Sequence, residues 1–222
     1  LYASIAGKLA GIKVRNYHLM GFRYLGGSGI GRIILKTLER ISCSMSTDIE
    51  CVSKSNLELG VREHIFPKGK AVVVWNGSSG GVDLKRFDFL KREQWRREIR
   101  EELGYSQDEF VFGFVGRITR DKGVEDILSA YFQSKLSEKL LLLGDLEGKE
   151  TISSELWDKA EQSSHVSIHP AVNSVEKYYA AVDVLLLPSY REGFGNVLIE
   201  AAAMGTPVVT TRIPGPVDAV KE

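Results

Sequence analysis

The chain contains no apolar run of about 18 residues or more, so no segment reads as a membrane-spanning helix. It is also short of cysteine. Cys43 and Cys51 are the only two, too few for a disulfide framework in a chain of this size. They read as small buried hydrophobes in a reducing compartment, which points to a cytoplasmic protein. Asn76-Gly77-Ser78 matches a glycosylation triplet, but in that compartment the match has no meaning. No internal repeat or low-complexity tract occurs. No cleavable leader is visible either, because Leu1 runs straight into YASIAGKLAG, which reads as helix. The closing DAVKE reads as the middle of another helix. Both ends look cut, so the chain is expected to be a fragment. Histidine is scarce as well. His165 and His169 lie four apart on a strand-like run with no third ligand in view, so no metal site is expected there. His64 falls in a loop.

The 222 residues are enough for one large domain or two small ones, and 43% hydrophobic with 26% charged residues suits a globular chain with a sizeable core. The formal net charge is zero, but the charges are unevenly placed. Residues 1–100 hold 18 Lys+Arg against 9 Asp+Glu, whereas residues 101–222 hold 11 against 20. Such a sign change suggests two units with different surroundings.

From residue 110 onward, short apolar runs alternate with helical spacing. FVFGFV (110–115), LLLL (140–143), VSIH (166–169), VLLL (184–187) and PVVTT (207–211) read as strands. Helices are expected near 124–133, 152–162, 174–181 and 197–204. Strands buried on both faces and separated by helices predict a doubly wound parallel sheet. The first hundred residues read as part of another α/β unit. Helices are expected at 2–11 and 30–43, and strands near 13–18, 48–53 and 71–75. The glycine-rich NGSSGGVD (76–83) is the best linker candidate, and a charged helix at about 91–103 follows it.

In such sheets ligands bind at the carboxyl ends of the strands. The strand at 110–115 runs into GRITRDKG (116–123). Arg117 and Lys122 sit there, two cations able to converge on a diphosphate beside a helix start. The plain alternative is a solvated basic turn. The strand at 184–187 runs into PSYREGFGN (188–196) and then the helix VLIEAAAMG. Two glycines around an aromatic let backbone approach a ligand and leave N–H groups at a helix N-terminus. Glu192 lies in this loop. Glu200 lies one turn into an otherwise apolar helix, where a carboxylate requires a partner. Ribose hydroxyls or a structural ion pair would serve.

Glu192 and Glu200, separated by seven residues within PSYREGFGNVLIEAAAMGTPVVTT, resemble the paired glutamates of the retaining GT-B glycosyltransferases of family four (glycosyl transferases group 1). GRITRDKG resembles that family's diphosphate turn, and NGSSGGVDLKRF its interdomain stretch. The resemblance implies an α/β GT-B fold of two facing Rossmann-like domains with the active site in the cleft. Residues 1–75 would be the C-terminal part of the acceptor domain, 76–109 the linker and connecting helix, and 110–222 the donor domain, truncated at its end. Arg117 and Lys122 would hold the donor diphosphate and act in catalysis with Glu192, which would bind the donor sugar or lie near the reacting centre. Glu200 would bind ribose. Backbone groups of Gly193, Phe194, Gly195 and Asn196 would contact phosphate or sugar. The implied reaction is hexosyl transfer, with retention, from a nucleoside-diphosphate sugar, expected to be UDP-linked, to a glycan or polyprenyl-linked acceptor of a bacterial surface polysaccharide. No metal or other cofactor is implied, which agrees with the lack of an Asp-x-Asp triplet, and no nucleic-acid partner is implied. The family's N-terminal glycine-rich loop and its C-terminal crossing segment are not in this chain.

His18 ends a strand of the first unit on the side that faces the acceptor in that family. An acceptor contact and an ordinary strand-end histidine both remain open. The predicted helix 30–41 carries an apolar stripe of Ile30, Ile33, Ile34, Leu38 and Ile41, with Arg32, Lys36 and Arg40 spaced by four. Such a helix can lie on an anionic membrane, or it can simply pack on its own sheet. Two other functions stay open: a non-catalytic nucleotide-sugar binding module, and another GT-B enzyme such as a sugar epimerase.

Overall fold

A computed structural model describes residues 1–148 and 152–221. They form two compact units, the first of Leu1–Gly80, Tyr190–Asn196 and Arg212–Glu222, the second of Gly81–Ser189 and Val197–Thr211. The division therefore falls inside the glycine-rich 76–83 stretch, and the chain enters the first unit three times. Both units are α/β with parallel sheets, as the resemblance implies.

The second unit holds strands β4 (Val111–Val115), β5 (Lys139–Leu143), β6 (Val166–His169), β7 (Val184–Leu187) and β8 (Val208–Thr210). They hydrogen-bond in the order β6-β5-β4-β7-β8, all parallel. The order reverses beside β4, and that reversal is where an open α/β sheet forms its ligand crevice. Helices α4 (Arg92–Glu102), α5 (Val124–Gln133), α6 (Ser154–Glu161), α7 (Val175–Ala181) and α8 (Asn196–Ala203) accompany the sheet. Every one of these elements was expected within a few residues. The strands are legible because they are buried on both faces, with Val111, Phe114, Leu140, Leu142 and Leu185 fully covered.

One buried charge organises the rear of this unit. Arg100 of α4 is fully buried. Its Nε donates to the Ala181 carbonyl at 2.9 Å, its Nη1 to the carbonyls of Ser106, Gln107 and Glu109, and its Nη2 to Asp183 Oδ2 at 2.7 Å. Asp183 also accepts from the Val111 amide and from Arg96. The guanidinium is tolerable in the interior because carbonyls and a carboxylate meet its donors.

The first unit holds α1 (Tyr2–Leu9), β1 (Asn16–Leu19), α2 (Gly29–Met45), β2 (Asp48–Cys51), α3 (Lys54–Arg62) and β3 (Ala71–Val72), with a final short helix α9 (Pro216–Ala219). Its sheet runs β1-β2-β3, parallel. Cys43 and Cys51 are buried and unbridged, and burial pushes both thiols up to about 12. Two readings change. α3 is absent from the sequence-based expectation, because its few apolar residues lack a clean helical repeat. The expected helix through the final residues instead ends at Ala219, and Val220 is extended.

α2 is where the sequence pattern and the packing part most sharply. The helix packs on its core through Leu35, Ser42 and Cys43, while Ile30, Ile33, Ile34 and Leu38 face outward, Ile30 at 76% exposure. Its cations are engaged within the unit. Lys36 pairs with Glu63 at 2.7 Å, Arg40 donates to the Glu63 and His64 carbonyls, and Arg32 lies over the Tyr24 ring.

Candidate functional site

At the carboxyl edge of the second unit's sheet, β4 and β5 continue to pair past their ends. Gly116 N–H donates to Leu143, Ile118 N–H to Asp145, and Glu147 N–H to Ile118. This pairing fixes the corner that carries Arg117. The Arg117 side chain is 55% exposed, and its Nη1 bonds Glu147 Oε2 at 2.7 Å. A pair so open to water contributes under about 1 kcal/mol, so a polyanion can displace the carboxylate at little cost.

Lys122 closes a 3-10 turn (Arg120–Lys122) that ends on Gly123. Gly123 has φ 73°, and a Cβ there would come within 2.3 Å of the Pro188 carbonyl oxygen. Only glycine lets this turn press against the end of β7. The turn at 120–123 and the corner after β7 are thereby locked together. Val124, the first residue of α5, is fully buried, so the helix start is held in place as well.

Glu200 lies in the second turn of α8. Its Oε2 accepts from the Tyr179 hydroxyl at 2.7 Å. Tyr179 is fully buried, rests against Phe87, and its own carbonyl accepts from Thr206 Oγ1 at 2.7 Å. Burial first, and then the charge of Glu200, pushes the Tyr179 hydroxyl well above its ordinary range. It therefore remains a proton donor. A phenol meets part of the carboxylate's need for a partner, a possibility the sequence reading had not considered.

Loop 190–196, with Glu192, Gly193, Phe194, Gly195 and Asn196, belongs to the first unit. It rests on the carboxyl ends of that unit's strands. A Cβ on Gly193 would lie 2.3 Å from the Met20 carbonyl oxygen, just past β1. Asn56, buried in the first turn of α3, donates from Nδ2 to the carbonyls of Gly193 (2.7 Å) and Glu192 (3.3 Å). The N-cap Ser53 holds Asn56 in turn. Asn196 Oδ1 accepts from Ser78, and its Nδ2 donates to the Ser79 carbonyl. Phe194 is buried. Beside the loop, Ser55 donates twice to Asp218 Oδ2 and accepts from the Gly215 amide. The structure thus brings Arg117, Lys122 and Glu200 onto one unit and Glu192 to Asn196 onto the other. His18 stands exposed on β1 with its Nδ1 3.7 Å from Glu50 Oε1, opposite it in the strand register.

An apolar cavity of about 410 Å³ lies between α5 and the sheet, lined by Phe112, Ile127, Tyr131, Leu186 and Val209. None of the expected site residues lines it, and the charge it presents, Asp126, has the wrong sign for a diphosphate. Among the described residues no cluster of three or more His, Cys, Asp or Glu could hold a metal ion. No described helix is long and apolar enough to cross a membrane.

The family described as "Glycosyl transferases group 1" matches residues 96–222, more than half of the chain. The chain belongs to that family. Among curated group 1 relatives, the capsular polysaccharide biosynthesis glycosyltransferase CapM of Staphylococcus aureus is 30% identical over 223 residues, covering 99% of this chain and 58% of CapM. The D-inositol 3-phosphate glycosyltransferase of Arthrobacter sp. strain FB24 is 36% identical over 143 residues, covering 61% of this chain and 33% of that protein. The chain thus spans between a third and three fifths of these relatives. Among solved structures, the Anabaena protein Alr3699/HepE, crystallised with UDP and glucose, superposes with a TM-score of 0.79 at 20% identity over 100% of this chain and 60% of its own. That likeness establishes the shared fold.

For a group 1 chain, three residues that hold the candidate site residues escaped the sequence reading. Glu147 pairs with Arg117, Tyr179 with Glu200, and Asn56 with the Glu192 loop. Each lies 21 or more residues from its partner in the chain. No local pattern could have revealed them.

Proposed function

We propose that the protein transfers a hexosyl group from a UDP-sugar to a glycan or polyprenyl-linked acceptor, with retention of configuration, in the building of a surface polysaccharide. The observation that carries this reading is the carboxyl edge at the β4/β7 reversal, where Arg117, Lys122 and Glu200 come from one unit. A sheet reversal, two cations and a carboxylate suit a nucleoside diphosphate, the cations taking the phosphates and Glu200 the ribose. The Alr3699/HepE structure, which holds UDP, and the capsular role in CapM's name support the choice of donor and pathway class.

On this reading the second unit is the donor unit, and residues 1–75 belong to the acceptor side. The leaving diphosphate gains charge as the glycosidic bond breaks. Arg117 and Lys122 stabilise that charge as preorganised donors, without a metal ion. Glu192 binds the transferred sugar beside the reacting carbon, and the Gly193 to Asn196 backbone contacts sugar or phosphate. His18 is an acceptor-side contact.

The exposed apolar face of α2, formed by Ile30, Ile33, Ile34 and Leu38, rests on the inner face of the cell membrane, where a polyprenyl-linked acceptor is held. The 11 Lys+Arg against 5 Asp+Glu of residues 1–75 favour anionic lipid.

The test is a thermal-shift screen of nucleotide-sugars on the full-length protein, followed by a transfer assay with and without a chelator. A UDP-sugar is expected to raise the melting temperature most, since a ligand that binds only the native state stabilises it. Turnover is expected to survive chelation. Binding without transfer to any acceptor would favour a nucleotide-sugar binding module, and isomerisation of the sugar would favour an epimerase.

A further inference from the structure

Glu200 is held unlike most half-buried carboxylates. Its bonded partner is a phenol that reaches it from the core, not a cation. The phenol belongs to Tyr179, which is fully buried and tied on two further sides, by Phe87 against its ring and by Thr206 Oγ1 on its carbonyl. A buried hydroxyl left without a partner is costly, so the Tyr179–Glu200 bond of 2.7 Å is strongly favoured over solvent exchange. A neutral donor has a further consequence. It fixes one carboxylate oxygen while leaving the full negative charge on the group, whereas a lysine would have neutralised it. The carboxylate keeps lone pairs for two more donors, as vicinal hydroxyls require.

We infer that Tyr179 is the positioning residue of the ribose-binding carboxylate: its buried hydroxyl sets the Glu200 rotamer so that the remaining lone pairs face the two ribose hydroxyls, and recognition of those hydroxyls depends on it. The inference rests on the reading of Glu200 as a ribose ligand. Tyr179 itself touches no ligand. Its contribution is preorganisation, since a carboxylate already held in one rotamer loses less freedom on binding.

The experiment compares the affinity of the full-length protein for UDP and for 2′,3′-dideoxy-UDP by calorimetry. The ratio of the two measures recognition of the ribose hydroxyls. In the wild type UDP is expected to bind at least tenfold tighter. Glu200→Ala is expected to bring the ratio close to one. Tyr179→Phe, which keeps the ring in the core, is expected to reduce it at least threefold while the dideoxy affinity stays within twofold. Glu200→Gln supplies a second variant should Tyr179→Phe not fold. With the amide oxygen accepting from the phenol, its NH2 is directed to the ribose, so the ratio should stay clearly above that of Glu200→Ala. An equal loss of both ligands in Tyr179→Phe would make Tyr179 a structural residue and overturn the inference. A Glu200→Gln ratio equal to that of Glu200→Ala would overturn it too. If Glu200→Ala leaves the ratio unchanged, the ribose reading of Glu200 itself fails, and the inference fails with it.

Discussion

Arg117, proposed to meet the donor diphosphate, is already paired within its own unit. Its guanidinium is held by Glu147 at 2.7 Å, yet both side chains are about half exposed. On the proposed reading a diphosphate displaces that carboxylate, so Glu147 is expected to compete with the ligand. Glu147→Gln is expected to tighten UDP binding several-fold in calorimetry, and Arg117→Ala to lower turnover by about 10²–10³, the scale of losing one preorganised donor to a developing negative charge. Equal affinity in wild type and Glu147→Gln would show that Arg117 does not meet the phosphates. Glu192→Ala is expected to lower turnover far more than UDP affinity, because the transferred sugar is absent from UDP. Arg117, Lys122, Glu192 and Glu200, the residues proposed for the site, could be picked out in the sequence because each lies in a short motif that follows a strand. Their holders could not, since contacts between residues distant in the chain leave no local period.

At the scale of elements, the second unit was legible almost strand by strand, because doubly buried strands read as unbroken apolar runs. α3 was not, and it carries Asn56. That side chain donates to two carbonyls of the Glu192 loop. Asn56→Asp replaces the donors with a second acceptor facing carbonyls. It is expected to lower turnover more than it lowers melting temperature, and the opposite order would make Asn56 a purely structural residue.

The Arg100 cluster joins α4 to the strand start at Val111 and carries a pH dependence. Burial pushes the Asp183 carboxyl up, but the Val111 amide, Arg96 and Arg100 more than offset this, and its pKa ends below the ordinary value. A carboxyl whose folded pKa is depressed stabilises the fold above its unfolded pKa, near 4, and loses that contribution as pH falls through the folded value. Unfolding by acid is therefore expected to become steep below about pH 4. Asp183→Asn should flatten the curve there and lower stability at neutral pH, because Arg100 then stays buried beside a neutral partner. Chemical denaturation at a series of pH values reads both effects.

For the whole molecule, the charge split and the outward face of α2 make one prediction. Arg32, Lys36 and Arg40 are occupied within the unit, so the apolar residues should contribute more to lipid contact than the cations. In vesicle sedimentation of the full-length protein, a charge at Ile33 and Ile34 together is expected to lower partitioning onto anionic vesicles at least tenfold, and removal of the three cations by less. Equal partitioning of wild type and the double variant would leave the membrane reading without support. The discontinuous first unit has a different consequence. A single crossover between two parental genes at Gly80–Gly81 looks like a clean exchange of one unit for another. It would give the hybrid one parent's Asn56 and Met20 and the other parent's 190–196 loop, which has to seat on them. Shuffled hybrids should therefore fail by mismatch at that seat even when each half is sound. Restoring both the native 190–196 loop and the 212–222 segment, whose Asp218 and Gly215 bond Ser55, should rescue them.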